Sequence, residues 1–459
     1  MDYYEIDHVD QRLDDMHDEY DIYEPTTAEI WATCAWPSLQ QILKYSLPFI
    51  FWNIAFRITT QTFVIPHPLQ HISSIFCGLA LSYSTLGTDF LYSLGFTSIE
   101  YVVLLAIPLA KQRKYGIILT LFCLAALITG EILDSSVLTW HRMRGTQMIA
   151  AVKIISIGFD IDRKLIRYSP NFLEFWGYIL CPGNVIMGPW CAYNDYLNIF
   201  NRTKWSFVWI FQVLLNAFTA IFFLLASNCF IEAYVPDLNS AWGAAYKGAL
   251  SFRCSHYFIC FFSHCTMLMA GLTTTRQKQN RFLGYSITRP WLIELPRSLV
   301  DVVVSWNLSM HYWLKTYVFL QLIPHGRLKA VILTYVISSL LHGVNIQLSA
   351  VLLSLGFATY AEHTVRQKVA EIFDACVLAN SCTECTHRYN GRNVLVMAFN
   401  LGFRILAMLH LAYLGILLDG FVEKPEIRAS IRTVHERWSN LDYLSHWIIL
   451  LTFGIGAII

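Results

Sequence analysis

Long stretches of the chain carry no Asp, Glu, Lys or Arg: residues 115–130, 175–194, 205–231 and 254–275. A bilayer core of roughly 30 Å needs about 20 mostly apolar residues in a helix. Those four stretches are therefore expected to be membrane spans. Shorter or interrupted apolar segments follow at 45–64, 70–88, 96–110, 140–158, 393–418 and 442–459, broken by Arg57, Lys153, Arg404 or a histidine. From Ala330 to Ala361 the chain again lacks acids and bases. As one helix that run would extend to about 48 Å, too long for a bilayer without strong tilt. Two segments breaking near Gly343–Asn345 are expected instead. The pattern predicts an all-α polytopic membrane protein with about ten to twelve spans.

Two segments break this pattern. Residues 290–326 mix Glu294, Arg297, Asp301 and Lys315 with Trp291, Trp306, Tyr312, Trp313 and Tyr317. Charge and aromatics at that density fit an interfacial or re-entrant segment packed against protein. Pro296 is expected to interrupt or start a helix, and Pro324-His325-Gly326 to make a turn. Residues 140–162 are amphipathic, with polar groups at membrane depth. The Pro-His-Gly turn lies midway between Asn307 and His342. If both arms are helical and antiparallel, the two residues stand side by side, each about 25 Å from the turn.

Composition sharpens the picture. Of 459 residues, 55% are hydrophobic and 14% charged, against about 25% charged in an ordinary soluble domain. A net charge of +1 gives no reason to expect nucleic acid. The 12 cysteines fall mostly in apolar runs and read as small buried hydrophobes rather than a disulfide framework. Residues 1–24 hold ten acids and one base, Arg12. Such a segment is expected to be a solvated tail, residues 1–38, ahead of a membrane domain at 39–459, and not a cleavable signal. Bases at Lys111/Arg113/Lys114, Arg276/Lys278/Arg281/Arg289 and Arg366/Lys368 point those loops to the cytosol. Asn201-Arg202-Thr203 is a glycosylation sequon in a plausible loop.

The chemistry centres on His342, an ionisable residue in an uncharged run and hence a functional candidate by default, although a histidine that only hydrogen-bonds a neighbouring helix fits as well. As a neutral imidazole it would accept a proton from a hydroxyl nucleophile. The Asn307 amide could donate to a carbonyl oxygen, or could equally satisfy local backbone. Cys382, Cys385 and His387 offer three ligands of metal-binding type within six residues. With no second cluster in view they make only a weak zinc signal and are read first as an ordinary loop, with or without a disulfide, and no metal is assigned. Glu131, Asp134 and Glu362 are expected near helix ends.

Five motifs taken together are similar to the membrane-bound O-acyltransferase family: Trp140-His141-Arg142-Met143-Arg144-Gly145, Glu294-Leu295-Pro296-Arg297-Ser298, Ser305-Trp306-Asn307-Leu308, Ser338-Ser339-Leu340-Leu341-His342-Gly343 and His410-Leu411-Ala412-Tyr413-Leu414-Gly415. The resemblance runs from about residue 45 to the C-terminus, and is strongest to members that acylate Wnt proteins. It implies tilted helices with re-entrant segments around a central tunnel. It also implies an endoplasmic-reticulum, multi-pass enzyme that moves a palmitoleoyl chain from coenzyme A to a Wnt serine, with no cofactor beyond the palmitoleoyl-CoA donor. In that family the histidine is catalytic and the asparagine its companion, carried here to His342 and Asn307. Trp306, Tyr312, Trp313 and Arg297 are named as acyl-donor contacts from their proximity to Asn307. The competing readings are a transporter or non-catalytic lipid-binding scaffold with His342 as a polar gate, and a family member acting on a sterol, lipid or other hydroxyl.

Overall fold

A computed structural model describes residues 25–109, 114–133, 137–201, 205–236, 240–272, 286–380, 382, 385–418 and 431–459. These residues are helical almost throughout, with no strand beyond an isolated bridge between Ala375 and Tyr389. The first helix, α1 (Trp36–Arg57), is extended at both ends by wider turns and continues from Thr27 to Thr62. Thr26 opens it as a capping box with Glu29. Helix therefore begins within the segment the sequence assigned to the tail, and Trp31 and Trp36 both lie on it. Asp134, residues 1–24 and part of the 201–203 sequon lie outside the described residues.

Next come α2 (His67–Leu86), α3 (Phe90–Ala106), α4 (Tyr115–Leu133), α5 (Val137–Asp162), α6 (Phe172–Ile179), α7 (Phe207–Leu225, continuing to Tyr234) and α8 (Ala241–Ala270). The later elements are α9 (Leu299–Trp306), α10 (Leu308–Trp313), α11 (Arg327–Leu341), α12 (Ile346–Phe373), α13 (Val394–Gly415), α14 (Ile431–Ser439) and α15 (Leu444–Ile458). The expected break at Gly343–Asn345 is present between α11 and α12, and Pro296 separates the short helix Pro290–Glu294 from α9. Among the described residues three helices, α4, α7 with its continuation, and α13, are long and apolar enough to cross a membrane on their own. The bent pair α14–α15 makes a fourth if taken as one span.

The arrangement is inside-out relative to a soluble bundle. Along α7, Phe207, Phe211, Leu214, Phe218 and Phe222 form an exposed stripe, while Gln212, Asn216 and Ala220 face inward. Such a stripe suits hydrocarbon, and the polar side chains satisfy one another inside: His264 Nδ1 lies 2.9 Å from Asn216 Oδ1.

Three expectations are corrected. Residues 175–194 are not a span: α6 stops at Ile179, and Pro182, Gly183, Gly188 and Pro189 turn the chain within the protein. The freed Tyr178 and Ile179 carbonyls accept from Lys153 Nζ at 2.9 and 3.0 Å, and Asn184 Oδ1 at 2.8 Å. This is how irregular backbone survives at depth. Glu362 and Arg366 lie neither at a helix end nor in a loop but within α12, buried and paired at 2.6 Å. The cysteines are mostly free and buried, as expected, with one disulfide, Cys34–Cys229, besides.

Short connections fold α1, α2 and α3 back and forth, so three passes carry the chain from Cys34 to Tyr115 at the opposite rim. That second rim is traced by Tyr115 N–H to Asp162 Oδ1 (3.0 Å), Arg163 Nη2 to the Thr316 carbonyl (2.7 Å) and Arg327 Nη1 to Gln367 Oε1 (3.3 Å). It gathers Lys114, Arg163, Lys164, Arg167, Arg327, Lys329 and Lys368. The Cys34–Cys229 disulfide and the Lys247–Glu232 pair (3.2 Å) mark the first rim.

Candidate active site

His342 follows the last residue of α11, where the helix closes on a left-handed Gly343 (φ +85°). The next turn is capped by Asn345, whose Oδ1 accepts from Leu348 N–H at 2.9 Å and starts α12. The imidazole therefore projects from a broken helix, about 22 Å along α11 from the base-rich rim. It is partly exposed, and among the described residues no side-chain hydrogen bond holds it. A ring left without an internal partner is one available to a substrate proton.

Gly343 is required twice over. Its φ favours glycine, and a Cβ there would sit 2.7 Å from Glu131 Oε2 and 3.1 Å from Arg144 Cδ. The backbone beside His342 thus rests on an ion pair, Arg144 Nη1 to Glu131 Oε2 at 3.7 Å, joined by Trp140 Nε1 donating to the same oxygen at 2.5 Å. Glu131 is near the end of α4, as expected, but it is a structural partner of this site. Composition and spacing did not single out this trio. The available signal was an acid in the last turn of α4 facing a base in the second turn of α5 across a short connection.

Asn307 joins α9 to α10 and caps α10, its Oδ1 accepting from Met310 N–H at 3.0 Å. That bond fixes the amide's orientation, and its Nδ2 has no acceptor among the described residues. The arms of the expected hairpin do pair, with Leu314–His325 packed along α11. Met310, Tyr312 and Trp313 share one apolar cluster with Leu340 and Leu341. No hydrogen bond joins Asn307 to His342.

The four residues named beside Asn307 are placed differently from one another. Trp313 is fully buried and donates Nε1 to the Val152 carbonyl at 2.9 Å. Arg297 reaches away from the site, donating Nε to Leu378 O (3.0 Å) and Nη2 to Cys376 O (2.8 Å). Trp306 is partly exposed and stacks on His256 at 4.3 Å, while its carbonyl lies 2.9 Å from His256 Nε2. Tyr312, also partly exposed, stacks on Trp190 at 6.0 Å. Trp190 is itself fixed by donating to Ser156 Oγ at 3.0 Å.

Comparison with known proteins gives this geometry a context. A profile of the membrane-bound O-acyltransferase family matches residues 45–383. The chain is 35% identical over 453 residues to a protein-serine O-palmitoleoyltransferase porcupine of Anopheles gambiae, covering 92% of each chain. It is 35% identical over 444 residues to the Homo sapiens protein of that name, covering 92% of this chain and 95% of the relative. A lysophospholipid acyltransferase 2 of Arabidopsis thaliana is similar at 22% identity, over 60% of this chain and 68% of its own. The site is thus built from motifs inside the matched region, and the chain belongs to the membrane-bound O-acyltransferase family.

Proposed function

We propose that this protein is a protein-serine O-palmitoleoyltransferase of the endoplasmic-reticulum membrane, moving a cis-unsaturated acyl chain from coenzyme A to a serine of Wnt proteins. The observation that carries the acceptor and donor classes is the similarity along 92% of the chain to relatives bearing that activity in their names. The observation that carries the chemistry is an imidazole at a helix break that makes no side-chain hydrogen bond among the described residues.

In this reading His342 takes the serine proton while the serine oxygen attacks the thioester carbonyl. The tetrahedral intermediate collapses to the serine ester, and coenzyme A leaves as its thiol, taking up the proton. Asn307 Nδ2, held outward by the capping bond of Oδ1, donates to the oxyanion. General-base assistance supplies about 10²–10⁴-fold, and one oxyanion donor about 10²–10³-fold. The reaction needs no cofactor beyond the acyl-CoA. Trp306 and Tyr312, partly exposed on either side of Asn307, are the aromatic surfaces proposed to meet the acyl donor. Trp313 and Arg297 are proposed to act there only through the segments they hold.

The deciding experiment supplies purified protein with palmitoleoyl-CoA and a Wnt-derived hairpin peptide. Transfer is expected to the serine peptide and not to its Ser→Ala version. A preparation that acylates only a lysophospholipid supports the lipid-acceptor reading instead. One that binds acyl-CoA without turnover supports the scaffold.

A further inference from the structure

Cys376, Cys382, Cys385 and His387 converge until their ligand atoms all lie within 4.8 Å of one another. His387 Nδ1 stands 3.8 Å from Cys382 Sγ and 3.4 Å from Cys385 Sγ. A tetrahedral zinc ion with Zn–S near 2.3 Å and Zn–N near 2.0 Å requires sulfur-to-nitrogen separations of about 3.5 Å. Sequence spacing showed three ligands in six residues. The fourth, Cys376, comes from the other end of the loop and is brought in by folding.

The loop is built to hold that fourth ligand. Cys376 N–H donates to the Tyr389 carbonyl at 2.9 Å, and Tyr389 N–H to the Asp374 carbonyl at 3.0 Å, closing the two ends on each other. The Cys376 carbonyl accepts from Arg297 Nη2 at 2.8 Å and Asn400 Nδ2 at 3.3 Å. Cys376 is buried, while Cys385 is exposed at the surface.

Redox position separates a metal from a disulfide. The Cys34–Cys229 bond lies on one rim. The loop follows α12, whose C-terminal turns meet Arg327 on the other, base-rich rim. Positive residues mark that side as cytosolic, where thiols stay reduced and clustered Cys and His bind metal.

We propose that Cys376, Cys382, Cys385 and His387 form a structural zinc site on the cytosolic face. Four protein ligands leave no open position, so the ion is a staple and not a catalyst. Loading it converts three thiols to thiolates and releases three protons, with neutral His387 as the fourth donor. The staple fastens the segment that accepts from Arg297, from Ser298 Oγ (to Ala379 O, 3.2 Å) and from Arg366 Nη1 (to Val377 O, 2.9 Å). Those contacts anchor the start of α9, whose far end carries Asn307.

Full-length protein purified in detergent without chelator is expected to contain about one zinc per chain by elemental mass spectrometry. Cys382→Ser with Cys385→Ser should lose it, His387→Ala should reduce it, and His387→Cys should keep it as a four-thiolate site. Should the serine variant fail to fold, cobalt-exchanged wild-type protein decides the matter, since thiolate-to-cobalt charge-transfer absorption is expected. Metal-free wild-type protein, a mapped Cys382–Cys385 disulfide, zinc undiminished in the serine variant, or cobalt protein without that absorption would each overturn the proposal.

Discussion

At the scale of single residues, His342 and Asn307 are separable by substitution. His342→Ala should leave an inserted, folded protein with transfer reduced by about 10²–10⁴-fold, and near wild-type turnover in that variant would end its role as base. Asn307 has two tasks that different replacements divide. Asn307→Ala removes both the cap, costing about 1 kcal/mol, and the donor. Asn307→Asp keeps a good cap but presents a carboxylate to the developing oxyanion, so stability should hold while kcat falls by about 10²-fold or more. Equal kinetics in both variants and the wild type would remove Asn307 from the chemistry. The sequence displayed His342 because an ionisable group in an uncharged run is conspicuous, and Asn307 because its motif and its spacing across the Pro-His-Gly turn point to the same depth. It left open whether Asn307 satisfies local backbone, and the structure shows that its Oδ1 does so by capping Met310 N–H, which depends on backbone geometry there. The Arg144–Glu131–Trp140 support stayed hidden for a related reason: the motif at 140–145 and the acid at Glu131 were visible separately, but their meeting depends on how α4 and α5 pair.

At the scale of elements, the break between α11 and α12 was legible because a helix of that length does not fit a bilayer, whereas the failure of residues 175–194 to form a span was not. Both segments lack acids and bases. They differ in Pro182-Gly183 and Gly188-Pro189, and in Lys153 from another helix, which satisfies the carbonyls those breaks release. The tight closure at Gly343 predicts that Gly343→Ala will displace the Glu131–Arg144 pair and lower turnover by about 10²-fold, measurable in the same transfer assay with expression unchanged. On α12, Arg366 is fully buried and bonds to Glu362, Asn400 and the carbonyls of Val377 and Arg297. Removing one partner of such a pair typically costs 3–5 kcal/mol. Arg366→Ala should therefore lower the thermal midpoint in detergent by several degrees, and an unchanged midpoint would show the pair contributes nothing.

Across the whole molecule, chemistry and tail should be independent. Ten acids against one base in residues 1–24 are a poor partner for anionic coenzyme A, which they would repel within a Debye length of roughly 8 Å. Deleting residues 1–24 spares the capped start of α1 and Cys34, and should leave KM for acyl-CoA unchanged. A deletion through residue 35 also removes Trp31 and one half of the Cys34–Cys229 bond, and is expected to reduce the yield of folded protein. A large loss of turnover from the shorter deletion would make the tail part of the working enzyme. The two-rim polarity, with a disulfide at one edge and clustered thiols at the other, was only half legible. Basic residues can be counted along a sequence, but which cysteines pair depends on how α1 and α7 meet.

Few of these helices are apolar enough to stand alone in a membrane, and that bears on how the chain is made. An isolated basic side chain at the centre of an inserting helix is opposed by about 2.5–3.5 kcal/mol. Arg366 emerges from the ribosome four residues after Glu362 and brings its counter-ion along. Lys153 has no such escort. Its acceptors, Tyr178, Ile179 and Asn184, lie 25 to 31 residues further on. The nascent α5 therefore gains its full stability at depth only once that later stretch has been synthesised and can fold around the ammonium.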